Sequence, residues 1–205
     1  MRLILVRHCE SQWNEEGRIQ GFSDPELNET GKEQAERVAQ ALRGEKINAV
    51  YSSPLKRAVE TARAIAQKHQ LEVKVDPALK EIDTGELEGL TLEELRRLYG
   101  DFLKEWKEGR GSLRMPGGES LEELQRRAWG AIQRIVQTHS DGAVVVVSHT
   151  FTNLIILCSA LNMDLSSFRR FKQDVAAINI LHFGERGAAL LLLNDTCHLG
   201  DRKSG

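Results

Sequence analysis

Arg7 and His8 stand side by side directly after the apolar run Leu3-Ile4-Leu5-Val6. Two more apolar runs end in the same kind of residue. Ala49-Val50-Tyr51 leads into Ser52-Ser53-Pro54-Leu55-Lys56-Arg57, and Val144-Val145-Val146-Val147 leads into Ser148-His149. Two arginines and two histidines suit a phosphate dianion, because guanidinium makes paired contacts to phosphoryl oxygens. His8 is then a candidate nucleophile through one ring nitrogen. Its partners would hold the phosphoryl group in line and offset the charge that builds during transfer. A lone histidine at a strand end is as often structural as reactive. Recurrence at three strand ends favours a site.

Other residues are weighed against this chemistry. Cys9 raises the cysteine-dependent phosphatases, which need an arginine six residues on. That place is held by Glu15, which repels phosphate, and Arg18 is out of register. Cys9 therefore reads as a small buried side chain. Arg57 falls in the first turn of a predicted helix, where a cation opposes the macrodipole and a structural arginine is out of place. It adds instead to an anion-attracting helix N-terminus. Four carboxylates, Glu81, Asp83, Glu86 and Glu88, compete for a proton-donor role, and sequence physics does not choose among them. The six histidines are scattered, with no HExxH, and the cysteines do not cluster, so no metal is expected. The chain has neither GxxxxGK[ST] nor GxGxxG, so neither nucleotide motif is supported.

The elements that must position these residues can be read from periodicity and punctuation. Residues 2–7 predict a buried strand, 49–51 a second, Val73 and Val75 a short third, and 143–147 a fourth. Ile178–Phe183 and Ala189–Leu193 predict a hairpin through Gly184 and Gly187. Residues 9–29 lack periodicity and read as a loop. Thr30-Gly31-Lys32-Glu33, Thr91-Leu92-Glu93-Glu94 and Ser120-Leu121-Glu122-Glu123 fit capping boxes that open helices. Ser53-Pro54 predicts another helix start, with serine as cap and proline as first helical residue. Thr150–Leu161 predicts a last helix. Strands alternating with helices imply an α/β layer structure with a mostly parallel sheet. In such sheets ligands bind beyond the carboxyl ends of the strands, which selects the same three motifs.

Bulk properties narrow the function classes. The chain has 205 residues, 40% of them hydrophobic and 28% charged, enough for one globular domain with a modest insertion. A net charge of -2 argues against a general nucleic-acid binder, so phosphate recognition must come from local cations. Three cysteines without paired spacing fit a reducing compartment. No signal peptide is recognised, and no apolar run is long enough to span a bilayer. The expectation is a cytoplasmic protein with no membrane or nucleic-acid partner.

The motifs together resemble a known family. Leu5-Val6-Arg7-His8-Cys9-Glu10-Ser11-Gln12-Trp13-Asn14 resembles the signature of the histidine phosphatase superfamily, the phosphoglycerate mutase-like proteins. The likeness continues through Gly17-Arg18-Ile19-Gln20-Gly21, Ser52-Ser53-Pro54-Leu55-Lys56-Arg57-Ala58, Glu81-Ile82-Asp83-Thr84-Gly85-Glu86-Leu87-Glu88-Gly89, Pro116-Gly117-Gly118-Glu119-Ser120 and Val147-Ser148-His149. It covers nearly the whole chain in order. It implies a three-layer α/β sandwich, a single domain over residues 1–205, with a small helical insertion at about 84–118 over the site.

The resemblance also implies roles. His8 would become a phosphohistidine, and Arg7, Arg57 and His149 would bind the phosphoryl group. Asn14, Gln20 and Gly21 would add substrate contacts. Glu81 matches the family's general acid/base, which singles it out from the four carboxylates. No metal and no cofactor are implied. Trp106, Arg110 and Arg114 are candidates for the leaving-group pocket. Two departures stand out. Cys9 occupies a place usually held by glycine or alanine, and is expected in the pocket wall. Thr150-Phe151-Thr152-Asn153 replaces small residues after His149. The expected function is hydrolysis of a small phosphorylated metabolite, with a likeness to the α-ribazole phosphatase and broad-specificity phosphatase branch. The alternatives are a cofactor-dependent phosphoglycerate mutase and a non-catalytic phosphate-binding module. Oligomeric state stays open, with a homodimer among the options.

Overall fold

The structure is a computed structural model that describes residues 1–107 and 114–200. One sheet organises it, in the order β3-β2-β4-β1-β5-β6. The strands are β1 (Arg2–Arg7), β2 (Ile47–Ser52), β3 (Val73–Val75), β4 (Ala143–Ser148), β5 (Ile178–Gly184) and β6 (Gly187–Asp195). β3, β2, β4 and β1 run parallel, and the β5–β6 hairpin adds antiparallel at the β1 edge. The predicted mostly parallel sheet is therefore mixed at one edge.

Helices cover both faces. They are α1 (Gln12–Glu15), α2 (Glu29–Ala41), α3 (Lys56–Lys68), α4 (Leu92–Leu98), α5 (Gly100–Lys107), α6 (Leu121–Thr138) and α7 (Thr150–Ala160). Alternation along the central strands divides the core in two. Leu3 and Leu5 of β1 and Val144 and Val146 of β4 pack under α6 and α7. Ile4, Val6, Val145 and Val147 face the other way, under α2 and α3. Both strands are thus buried on both faces, which is why they read as unbroken apolar runs.

Helix entries show where local sequence rules hold. The Thr91–Glu94 and Ser120–Glu123 capping boxes form as expected and open α4 and α6. The first predicted box does not form. Asn28 caps α2, its Oδ1 accepting from the Gly31 N–H at 2.8 Å. Gly31 must sit against the chain, because a Cβ there would lie 2.0 Å from the Glu10 carbonyl oxygen. That close approach fixes the entry upstream of Thr30. Ser53 and Pro54 do not open α3 either. The helix begins at Lys56, whose N–H donates to Asp24 Oδ1 at 2.6 Å, so a carboxylate from another segment does the capping. Residues 9–29, read as a loop, contain the single-turn helix α1. It is closed by a Ser11–Asn14 capping box and is too short to show apolar periodicity. The 84–118 segment carries the helices α4 and α5 in its described part, with turns before them and at 114–118.

The register brings the three predicted motifs together. Arg7 pairs with Ser148 across β1 and β4, and Ser52 with Val147 across β2 and β4. The His8 N–H donates to the Ser148 carbonyl at 2.9 Å, and the Ser53 N–H to that of Val147 at 3.0 Å. His8, Ser53 and His149 therefore leave the sheet side by side.

Candidate active site

His8 is 3% exposed, and its Nδ1 lies 2.7 Å from the Cys9 carbonyl oxygen. A carbonyl only accepts, so Nδ1 carries the proton and Nε2 keeps its lone pair. Burial, and then the charges of Arg57 and Arg7, hold the ring well below the ordinary histidine range; the Cys9 carbonyl opposes this. The imidazole is neutral with a fixed tautomer, the state a nucleophile needs.

Both arginines are fixed by backbone carbonyls. Arg57 is fully buried, with Nη1 donating to the Ser23 carbonyl at 2.7 Å and Nη2 to that of Gly21 at 3.0 Å. Burial lowers its pKa to about 10, against the raising effect of Glu81, Asp24 and Glu88. Arg7 donates from Nη1 to the Gln173 carbonyl at 2.7 Å. Burial also lowers its pKa, and Glu81 and Asp174 oppose the shift. The Gln173 side chain is tied to Asn179 by hydrogen bonds of 2.8 and 3.0 Å, so a buried amide pair fixes the loop that holds Arg7. The Nε of each arginine is buried without a partner among the described residues.

His149 is fully buried beside His8, with Nε2 2.8 Å from Ser53 Oγ and Nδ1 without a partner among the described residues. Burial, and then Arg57, hold it well below the ordinary range too. It is thus a neutral hydrogen-bonding group rather than a cation. The Ser53 hydroxyl thus pairs with this ring, and its oxygen also accepts from the Leu55 N–H at 3.3 Å just before α3.

Glu81 is 8% exposed and caps α7 from outside that helix. Its Oε1 accepts from the Ile82 N–H at 2.9 Å and the Thr152 N–H at 3.2 Å, and its Oε2 from the Phe151 N–H at 3.2 Å. The residue at the cap position, His149, makes no side-chain cap bond of its own. The other three candidate carboxylates are spent elsewhere. Asp83 accepts from the Gly85 N–H, Glu86 from the Tyr99 hydroxyl, and Glu88 from the Phe22 and Ser23 N–H groups.

Arg7, His8, Arg57 and Glu81 line one cavity of about 190 Å³, together with Asn14, Gln20 and Gly21. His149 lies just behind it. Asn14 Oδ1 accepts from the Ser11 N–H at 3.1 Å, and the Ser11 hydroxyl reaches both Asn14 Oδ1 and Gln20 Oε1. That hydroxyl has one proton and serves one acceptor at a time. Gly21 has φ +50°, and a Cβ there would meet Thr84 Oγ1 at 2.2 Å. Its carbonyl is turned to Arg57.

Several expectations are corrected. Cys9 packs with Val6, Ala35 and Val38 under α2, away from the cavity, and its N–H donates to Thr61 Oγ1 at 3.1 Å. Burial pushes its thiol up to about 12. The second departure does reach the cavity, through Thr150 and Phe151. Trp106 packs on Phe102, Phe151 and Phe168 behind that wall. Arg114 turns away to the Gly118 carbonyl and Glu123, and Arg110 lies outside the described residues. Arg18, Ile19 and Thr84 line the cavity unpredicted. Arg18 and Ile19 lie within a motif stretch, but nothing local marks them.

A strand-end histidine beside a buried Arg57 and a half-buried Arg7, over a mixed sheet of this order, defines a phosphoryl-handling α/β protein. The chain belongs to the histidine phosphatase superfamily (branch 1), which it matches over residues 3–196. It is 42% identical over 201 residues to phosphoserine phosphatase 1 of Hydrogenobacter thermophilus, covering 98% of this chain and 95% of that protein. Among solved structures it is similar to a putative α-ribazole-5'-P phosphatase from Escherichia coli, with a TM-score of 0.87 and 27% identity over 95% of this chain and 96% of that one. It is also similar to a phosphoserine phosphatase mutant from Entamoeba histolytica in complex with phosphoserine. There the TM-score is 0.83 and the identity 32%, covering 97% and 98% of the two chains. These likenesses support a phosphatase. No helix among the described residues is long and apolar enough to cross a membrane.

Proposed function

We propose that the protein is a metal-independent phosphomonoesterase that works through a phosphohistidine on His8. The observation that carries this reading is the Nδ1–H to Cys9 carbonyl bond, which leaves Nε2 of a neutral ring as the free nucleophile. The Nε2 lone pair attacks phosphorus, and the P–O bond to the alcohol breaks. The leaving oxygen takes a proton from the Glu81 carboxyl group. Water then attacks the phosphohistidine and gives a proton to Glu81, and the N–P bond electrons return to Nε2. The proton is recycled and no metal takes part. Positioned acid/base groups contribute ~10²–10⁴-fold in such steps. The unpartnered Nε–H groups of Arg7 and Arg57 need acceptors, and phosphoryl oxygens supply them.

The substrate proposed is a small phosphate ester of a hydroxy or amino acid, with phosphoserine first. A cavity of about 190 Å³ is small beside drug-sized sites. That favours a short ester over a ribazole phosphate. Arg18 lines the cavity as a third arginine, placed to meet a substrate carboxylate. The phosphoserine phosphatase relatives point the same way.

The test is phosphate release by the purified protein from phosphoserine, α-ribazole phosphate and 3-phosphoglycerate, with and without EDTA. Fast release from phosphoserine, unchanged by EDTA and abolished in His8→Ala, is expected. Isomerisation of 3-phosphoglycerate after bisphosphate priming, without release, would make the protein a mutase. Full activity of His8→Ala would end the phosphohistidine reading.

A further inference from the structure

The backbone that carries Glu81 is gripped from the side away from the cavity. Arg127 of α6 donates from Nη1 to the carbonyls of Ala78 and Lys80, at 2.9 and 2.8 Å. Its Nη2 donates to the Glu81 carbonyl at 2.6 Å. The remaining N–H groups go to Glu119, Nε to Oε1 at 2.8 Å and Nη2 to Oε2 at 2.7 Å. A guanidinium has five N–H donors, and every one is used here. Glu119 Oε2 also accepts from the Asp83 N–H at 2.9 Å, so the pair holds the chain on both sides of Glu81. Only a fifth of either side chain is exposed. Neither residue lines the cavity.

We propose that Arg127, braced by Glu119, is a positioning residue for the proton-transfer group Glu81; this rests on Glu81 acting as general acid. Three carbonyls within four residues of chain converge on one planar fork, which fixes the backbone from which the carboxylate projects. α7 holds the same segment from the opposite side. The Thr152 hydroxyl donates to the Lys80 carbonyl at 2.7 Å, and the Thr152 N–H holds the carboxylate itself. The acid is thus set between two helices. Lysine cannot replace Arg127, because an ammonium has three donors around a point and no fork. A shift of the 78–81 backbone would move the carboxyl proton relative to the leaving oxygen while leaving His8, Arg7 and Arg57 in place.

The discriminating readout is leaving-group dependence. Phosphoserine releases an alkoxide that must be protonated as it leaves. p-Nitrophenyl phosphate releases a phenolate that leaves without a proton. kcat/KM for both esters would be measured in wild type, Glu81→Gln, Arg127→Lys and Glu119→Gln. For Arg127→Lys the expected loss is on the order of 10- to 100-fold with phosphoserine and under about threefold with p-nitrophenyl phosphate, as misplacement of one reacting group predicts. Glu119→Gln keeps one acceptor oxygen, replaces the other with an amide donor and loses the charge, and should show the same selectivity more weakly. It also serves if Arg127→Lys folds poorly. Equal losses on both esters, or none on either, would overturn the positioning role. If Glu81→Gln itself lost equally on both esters, the general-acid reading would fail first. Selectivity in Glu81→Gln but not in the Arg127 and Glu119 variants would sink only the proposal.

Discussion

The rings of His8 and His149 lie 5.1 Å apart, centroid to centroid, with their planes inclined by 58°. Both are buried, and both are held well below the ordinary histidine range by burial first and the Arg57 charge second. Two neutral imidazoles in contact make stability depend on pH. In the unfolded chain each ring takes up a proton near pH 6.5, whereas in the folded protein it does not. Below that pH the unfolded state binds more protons, so stability falls as pH falls and is retained above pH 6.5. Each ring contributes to the loss in the same direction. Urea unfolding at pH 7.5 and 5.0 should show the loss, and His8→Gln should make it shallower. An unchanged slope in the variant would show that His8 protonates as readily in the fold as outside it.

Arg57 gives a second prediction. Its two Nη atoms are committed to the Ser23 and Gly21 carbonyls, so its position is set by the Gly21 turn. Arg57→Lys loses that fork and one phosphoryl donor. The expected drop in kcat/KM is on the order of 10²-fold, the usual cost of losing one preorganised donor. Because the phosphoryl group is common to every ester, phosphoserine and phosphoethanolamine should suffer alike. A drop confined to one of them would place Arg57 at the leaving group instead.

The parts of this arrangement that were legible in sequence are those encoded locally. β1 and β4 are buried on both faces, so they stand out as apolar runs, and the residues that follow them mark the site. The boxes at Thr91 and Ser120 are complete within four residues. What was not legible depends on distant partners. Glu81 caps α7 from about 70 residues away, and Asp24 caps α3 from about 30. The Ser53 hydroxyl reads as a helix cap because its partner His149, after the neighbouring strand, is 96 residues away in sequence. Arg127 sits in a charged stretch of α6 and looks like a solvated face until the 78–81 carbonyls are placed over it.

The thiols supply a third prediction. Cys9 and Cys158 are buried and Cys197 is exposed. Burial pushes the first two thiols up to about 12 and about 11, so neither is a ready thiolate. Iodoacetamide on the native protein should modify Cys197 alone and leave activity intact; after denaturation all three should react. Cys9→Ala should stay active, since the side chain fills core under α2 rather than the cavity. Inactivation that tracks Cys9 alkylation would put that thiol in the site after all.

Arg18 tests the substrate class. Its Nε pairs with Glu16 at 2.7 Å and its Nη1 donates to the Gly89 carbonyl at 2.8 Å, which anchors the guanidinium at the cavity wall. The remaining amino group has no partner among the described residues. The side chain is 39% exposed, so water screens any ion pair it makes. A charged hydrogen bond discounted for that exposure is worth about 1.4 kcal/mol, or roughly tenfold in kcat/KM. Arg18→Met should therefore lower kcat/KM for phosphoserine about tenfold. Phosphoethanolamine has the same phosphate and amine but no carboxylate, and should be hydrolysed equally well by both forms. The ratio of the two activities cancels any general damage to the fold. If Arg18→Met leaves that ratio at the wild-type value, a substrate carboxylate does not reach Arg18. The cavity would then select its ester through the neutral wall of Thr84, Thr150 and Phe151.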